Sequence, residues 1–297
     1  MPERPVRLVV PLAPGGSQDV LGRLLAQAVS GPLGQQVVVE NRAGAGGVLA
    51  AETVARAAPD GLTIFLSTAG QLTIAKAIGR RLPYDPIEDF TPILWLADSP
   101  VALLAAPGLP VRTALELLRY AKAAREPLPY ASTGIGTNTH LIMKDLSARE
   151  GLRVEHVPYR GAAAAFNDLQ AGRIALMFVS VPSVLAVAPG QFKLLALASR
   201  ERFPALPEVP TLVEAGVADF EASIWTALSA PAPLPEPVRA RLATAFNEAL
   251  HSELVTSRLD VLGAVPNGAD GAAFGAMLRQ DLERWTRVVA PLNLNLD

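Results

Sequence analysis

The chain has 297 residues, of which 50% are apolar and 18% charged, and it carries 26 Lys plus Arg against 28 Asp plus Glu. That balance excludes an intrinsically disordered chain and leaves no basic field for nucleic acid or an anionic membrane. The absence of cysteine excludes disulfides, thiolate metal sites and a Cys nucleophile. The length allows two domains or one large one.

Met1-Pro2-Glu3-Arg4-Pro5 leads straight into an apolar strand without the apolar stretch of a signal peptide, so the sequence is expected to be that of a mature segment. The strand belongs to VRLVVPLAPGGSQD, Val6 to Asp19, where it reaches a Pro-Gly-Gly turn. A helix then opens at Ser17 or Asp19 and continues through Val20 to Val29. Gly15 and Gly16 free the backbone to turn sharply or approach a guest, and the helix start offers unpaired N–H groups that favour an anion. Such a turn can also serve only to change direction, and Asp19 can simply complement the helix dipole.

A second strand is expected at Gln36 to Glu40, a loop at Asn41 to Gly47, and a helix at Val48 to Ala58 closed by Pro59-Asp60-Gly61. Leu62 to Ser67 reads as a third strand ending in a polar turn from Ser67 to Gln71, and Tyr84 to Phe90 as a loop. Strand-like runs follow at Thr91 to Leu96 and Val101 to Ala105. Thr113 caps a helix to Ala124, Leu128 to Ser132 is a strand, and the turn Thr133 to Thr139 feeds a helix from His140 to Glu150. Strands at Arg153 to Val157, Ile174 to Val181 and Lys193 to Ala198 surround an Ala-rich helix at Ala162 to Gln170. The middle of the chain thus repeats the opening device: a strand, a Gly-rich polar turn and a helix.

The last third holds a strand at Ala222 to Ser229 and helices near Val238 to His251, Glu253 to Leu262 and Ala269 to Leu292, with no further strand expected. Alternating strands and helices predict an α/β protein with a largely parallel sheet. The final helices are expected to pack on the first domain, so the chain crosses twice, near 101–110 and 222–230. The lobes are then 1–104 with 226–297, and 105–225, joined by a hinge with the Gly-rich turns facing across a cleft. Ile174 to Phe192 is nineteen residues without a charge. Pro182, Ser183, Pro189 and Gly190 interrupt it, so it reads as a buried strand and a short helix and not as a membrane span.

Enzyme and nucleotide signatures are missing. There is no G-x-S-x-G elbow and no phosphate loop, and His140, His156 and His251 are too far apart for a helical metal pair. Gly44-Ala45-Gly46 and Gly134-Ile135-Gly136 each lack the third glycine of a dinucleotide fingerprint. What remains is a set of neutral donors: Ser17, Thr68, Gln71, Thr133, Thr137, Asn138 and Thr139, with the N–H groups beside them. Thr137 and Thr139 either cap the helix alone or also contact a ligand. His140 is either a packed, hydrogen-bonded residue or a ligand contact, and Trp225 is read as core or hinge packing. No cofactor or metal is expected.

The segments RLVVPLAPGGSQD, VVVENRAGAGG, LPYDPIEDF, YASTGIGTNTHL, HVPYRG, DLQAGRIALMF and PALPEVPTLVEAGV resemble the Bug-type substrate-binding proteins of tripartite tricarboxylate transporters, in order and through the whole chain. The resemblance implies a two-lobed periplasmic-binding-protein-like α/β fold (a Venus flytrap, type II). It also implies a periplasmic, monomeric protein that closes on a small organic carboxylate and delivers it to a membrane permease. Ligand contacts are implied at Pro14, Gly15, Gly16, Ser17 and Asp19, and at Gly136, Thr137, Asn138, Thr139 and His140. Val179 and Ser180 stand where the family often has Asp-Asn, and Leu72 where it often has His. With no carboxylate at 179 to neutralise an ammonium group, the expected ligands are di- or tricarboxylic or aromatic acids in preference to amino acids. The alternative is a small enzyme using His140 and Asp19 as acid and base.

Overall fold

The computed structural model describes residues 4–292 except 13, 15, 16, 160, 161, 186, 188, 189 and 262. Gly15, Gly16 and the side chain of Ser17 therefore lie outside what is described. The chain divides into two compact units, Met1–Asp98 with Trp225–Asp297, and Ser99–Ile224. The first passage between units falls earlier than the expected 104, and the second one residue from the expected position.

In chain order the first unit opens with β1 (Val6–Val10), α1 (Ser17–Leu33), β2 (Val37–Asn41), α2 (Val48–Ala55), β3 (Thr63–Thr68) and α3 (Ala75–Ala77). The strand β4 (Phe90–Ala105) leads into the second unit, with α4 (Ala114–Ala123), β5 (Leu128–Ser132), α5 (Asn138–Glu150) and β6 (Val154–Pro158). There follow α6 (Ala162–Gln170), β7 (Leu176–Ser180), α7 (Val181–Leu185) and β8 (Lys193–Leu197). The strand β9 (Ser223–Pro231) returns to the first unit, which ends with α8 (Glu236–Leu250), α9 (Glu253–Val261), β10 (Val265–Asp270) and α10 (Gly271–Val289).

In the first unit β1 runs parallel to both β2 and β3, and β3 pairs antiparallel with β9. One face is covered by α1, whose Leu21, Leu25, Val29 and Leu33 recur every fourth residue and are buried against Val6, Leu8, Ile64 and Phe246. That spacing puts one apolar stripe on the core, and burial of Leu33 carries the helix through Pro32, beyond its expected end at Val29. In the second unit β5 is parallel to β6 and β7, and β7 is antiparallel to β4. Leu104, Ala131, Ala165, Leu169, Met177 and Val179 form the core beneath α6.

Three local readings are corrected. The two strands expected at 91–96 and 101–105 are one, β4, which pairs with β10 up to Asp98 and with β7 and β8 from Val101. Pro100 sits at the change of partners, where a missing N–H costs no ladder bond. The strand β10 was not expected; Pro266 and Gly268 are poor strand formers, and its register slips between Pro266 and Ala269. The polar turn after β3 winds on as a single π-helical stretch, Gly70–Ile74, into α3. The uncharged run from 174 to 192 contains β7 and α7, and among the described residues no helix is long and apolar enough to cross a membrane.

α10 starts at Asp270, whose carboxylate accepts the N–H of Ala273 at 2.9 Å. Gly271 follows because a Cβ there would collide with the backbone carbonyl of Pro92 on β4. The substitution Gly271→Ala is expected to destabilise the protein by about 1–3 kcal/mol through overpacking, read as a lower urea midpoint. An unchanged midpoint would show that β4 and α10 can separate freely.

Candidate ligand-binding site

In the first unit the turn after β1 is tied down from below. Asp19, in the first turn of α1, is 3% exposed; its carboxylate accepts from Arg23 at 3.0 Å and from the amide of Asn41 at 2.9 Å. The same amide nitrogen of Asn41 donates to the carbonyl of Leu12 at 3.0 Å. Asp19 therefore anchors the helix start to the end of β2, and its carboxylate is already committed to those donors. Pro14 is exposed on this turn.

Gln71 is engaged at both ends of its amide. Its Oε1 accepts from the Thr68 N–H (3.1 Å) and hydroxyl (2.8 Å), and its Nε2 donates to the carbonyl of Gly46 at 3.0 Å. The side chain bridges the turn after β3 to the Asn41–Gly47 loop. Gly47 lies at φ 90°, and a Cβ there would sit 2.5 Å from that nitrogen. Thr68 and Gln71, expected as neutral donors, are here bonded to one another and to the Gly46 carbonyl. Nearby, the Thr73 hydroxyl (2.6 Å) and the Trp225 indole N–H (3.2 Å) both donate to Asp281, whose carboxyl is pushed up by burial. Trp225 thus packs inside the first unit, edge-on to Phe274.

The second unit builds its turn differently. Thr137 occupies the N-cap of α5 but does not cap it; its hydroxyl donates back to the carbonyl of Gly134 at 2.8 Å. Thr139 accepts the N–H of Thr133 at 3.1 Å and lies within 3.1–3.2 Å of the hydroxyls of Thr133 and Thr137. Gly136, at φ 71°, gives its N–H to Nδ1 of His140 at 3.1 Å. The turn thus takes up the N–H groups of Thr133, Gly134 and Gly136 within itself or on its neighbours. The first bond into the helix is Leu141 N–H to the carbonyl of Thr137, 3.0 Å. The N–H groups of Asn138, Thr139 and His140 precede it and have no partner inside the helix. The side-chain Nδ2 of Asn138 is likewise buried and without a hydrogen-bond partner among the described residues.

His140 is 1% exposed and stacked on His156, with ring centroids 3.8 Å apart and planes 14° from parallel. Burial, the neighbouring imidazole and Lys144 press the His140 pKa down to about 3, and burial and Lys144 press that of His156 to about 4. Val179 is placed in the core of the second unit, 1% exposed among Leu104, Ala131 and Met177. Ser180 is half-buried, its hydroxyl 3.0 Å from that of Ser183. Asn41, Ser132 and His156 were not singled out as site residues from the sequence. A shallow groove between α1 and α8, lined by Pro32, Arg241, Thr244 and Glu248 among others, holds none of the candidates. Among the described residues no group of three His, Cys, Asp or Glu is placed to hold a metal ion.

The profile of the tripartite tricarboxylate transporter family receptors matches residues 21–294. The chain belongs to that family. Protein BugT of Bordetella pertussis is 34% identical over 97% of this chain and 89% of its own length. MatC from Rhodopseudomonas palustris, solved with bound malate, is 35% identical over 97% of this chain and all of its own, with a TM-score of 0.81. A second R. palustris protein, solved with adipate, is 33% identical over 97% of both chains, with a TM-score of 0.84. The fold is thus that of the TctC-type solute-binding receptors. These are receptors and not enzymes, which replaces the reading of His140 and Asp19 as acid and base.

Removing the Gln71 amide would leave the Thr68 N–H and the Gly46 carbonyl without their partner. Gln71→Ala is therefore expected to lower stability by about 1–3 kcal/mol in urea denaturation. A loss confined to ligand affinity would instead assign Gln71 to the ligand.

Proposed function

We propose that the protein is a periplasmic receptor that captures a small organic carboxylate and hands it to the membrane permease of a tripartite transporter, with one carboxylate received at the start of α5. The observation that carries this reading is the opening of α5: the N–H groups of Asn138, Thr139 and His140, without partners inside the helix, and the buried Nδ2 of Asn138, unpartnered among the described residues, behind a turn that takes up the N–H groups of Thr133, Gly134 and Gly136. Donors of that kind, at the positive end of a thirteen-residue helix, favour an anion over a neutral or cationic solute. The relatives solved with malate and with adipate support the same class of ligand. The start of α1 supplies a comparable helix N-terminus in the first unit, with Pro14, Gly15, Gly16 and Ser17 proposed as its contacts.

The proposed ligand lacks an ammonium group. The segment from Thr133 to His140 contains no acidic side chain, and the carboxylate in the first turn of α1, Asp19, is already held by Arg23 and Asn41. An ammonium group taken from water would find no counter-charge on either turn. This ground is independent of Val179, which packs in the core.

A thermal-shift screen tests the class of ligand. Malate, succinate and adipate are expected to raise the melting temperature, by the equivalent of about 2.7 kcal/mol at a hundred times the dissociation constant. Sugars and amines are expected to leave it unchanged, and a response to those alone would reject the reading. In competition calorimetry succinate is expected to displace aspartate, and tighter aspartate binding would place a free carboxylate in the site. For the best ligand, Asn138→Ala is expected to cost about 1.5–3 kcal/mol of affinity with little change in stability, since its Nδ2 has no hydrogen-bond partner among the described residues. Unchanged affinity would remove Asn138 from the site.

A further inference from the structure

We infer that His140 and His156 are a positioning pair, which, stacked and uncharged, fixes the two glycines of the Thr133–Thr137 turn so that the first N–H groups of α5 stay open to the ligand. The inference rests on the proposed reading of that helix start as the carboxylate site.

His140 holds one glycine directly, and His156 backs the hydroxyl that holds the other. His140 reaches back four residues and accepts the N–H of Gly136 on Nδ1 at 3.1 Å. His156, on β6, places Nε2 2.6 Å from the Ser132 hydroxyl. That hydroxyl oxygen in turn accepts the N–H of Gly134 at 3.1 Å and lies 2.9 Å from the Gly134 carbonyl. Gly134 and Gly136 both have positive φ, at 141° and 71°, so their amides point where no regular ladder could receive them. Without His140 the Gly136 N–H would compete with α5 for the same anion, and without His156 the Ser132 hydroxyl that receives the Gly134 N–H would lose its support.

The Gly136 bond fits only a neutral His140 ring. A nitrogen that accepts a hydrogen bond is unprotonated, so the Gly136 bond puts the single proton of neutral His140 on Nε2. A second proton, on Nδ1, would set two N–H groups against each other and break that bond. It would also place a charge 3.8 Å from the partner ring. The groups facing the pair are the Tyr130 ring on β5, with centroids 5.0 Å from His156 and 6.4 Å from His140, and the Lys144 ammonium on α5. Neither is a carboxylate that would favour an imidazolium. Burial and Lys144 act in the same direction, holding both rings neutral through the physiological range. Stability is accordingly expected to fall as pH drops below the ordinary imidazole value near 6.5, because the unfolded chain takes up protons that the folded one refuses.

Three variants and two readouts test the pair. In the ligand-free protein, imidazole ¹⁵N spectra are expected to show an unprotonated Nδ1 on His140 from about pH 8 to about pH 5. The Gly136 amide resonance is expected to move in His140→Leu and to be largely restored in His140→Asn, whose side-chain oxygen can accept the same bond. With malate and adipate as calorimetric probes, His140→Leu and His156→Ala are expected to lose about tenfold or more in affinity, the scale of one lost hydrogen bond, and His140→Asn to recover most of it. The ratio of wild-type to His140→Asn affinity cancels protonation of the probe and is expected to stay flat over the same pH range. A wild-type affinity that rises about tenfold against that variant as pH falls through 6.5 would make His140 a cationic ligand contact and overturn the inference. So would a Gly136 resonance indifferent to all three variants. A pair that passes the spectroscopic arm while neither acid binds would leave the turn assignment standing and reject the carboxylate reading.

Discussion

The second unit depends on a hydrogen-bond constraint. A helix start can receive an anion only if its first N–H groups are left open, and the turn that delivers the chain there has amides of its own to satisfy. Here the turn settles its bonds internally. Thr137 returns its hydroxyl to Gly134, Thr139 takes the amide of Thr133, and His140 takes that of Gly136. The N–H groups of Asn138, Thr139 and His140 are left without partners inside α5. The side chains expected as neutral donors are bonded to one another within the turn.

The first unit follows a related rule with different residues. Asn41 and Asp19 join the end of β2 to the first turn of α1, and Gln71 joins the turn after β3 to the glycines before α2. Loops at the carboxyl ends of parallel strands β1, β2 and β3 are thereby cross-braced to one another. Such bracing lowers the entropy lost when a ligand is held by loops, because the loops are already ordered before it arrives.

The strand–turn–helix devices at α1 and α5 were legible because each is local: an apolar strand, glycines and small polar residues, then an apolar period of nearly four. Their supporting residues were not. His156 is sixteen positions from His140 and stands beside Tyr130 only through the parallel pairing of β5 with β6. Asn41 meets Asp19 only because β2 lies alongside β1. Register between strands distant in sequence is not written into either strand alone. The failures at β10 and at the π-helical stretch have another cause: Pro266, Gly268 and Gly70 signal turns by local preference, and pairing with β4 or packing against α10 overrides them.

Val179 shows how a family comparison and a burial pattern divide the work. A valine in place of an acid invites a reading about ligand charge. The four residues from Leu176 to Val179 are all buried, however, and Val179 meets Leu104, Ala131 and Met177. A carboxylate in that surrounding would need a paired cation or a proton to remain there. Valine removes that demand and leaves the core of the second unit wholly apolar at this strand. On the proposed reading, the charge preference would come from the start of α5, where neutral hydroxyls and amides stand with no acidic side chain from Thr133 to His140. Open N–H groups there would stabilise negative charge and offer a positive group no compensation.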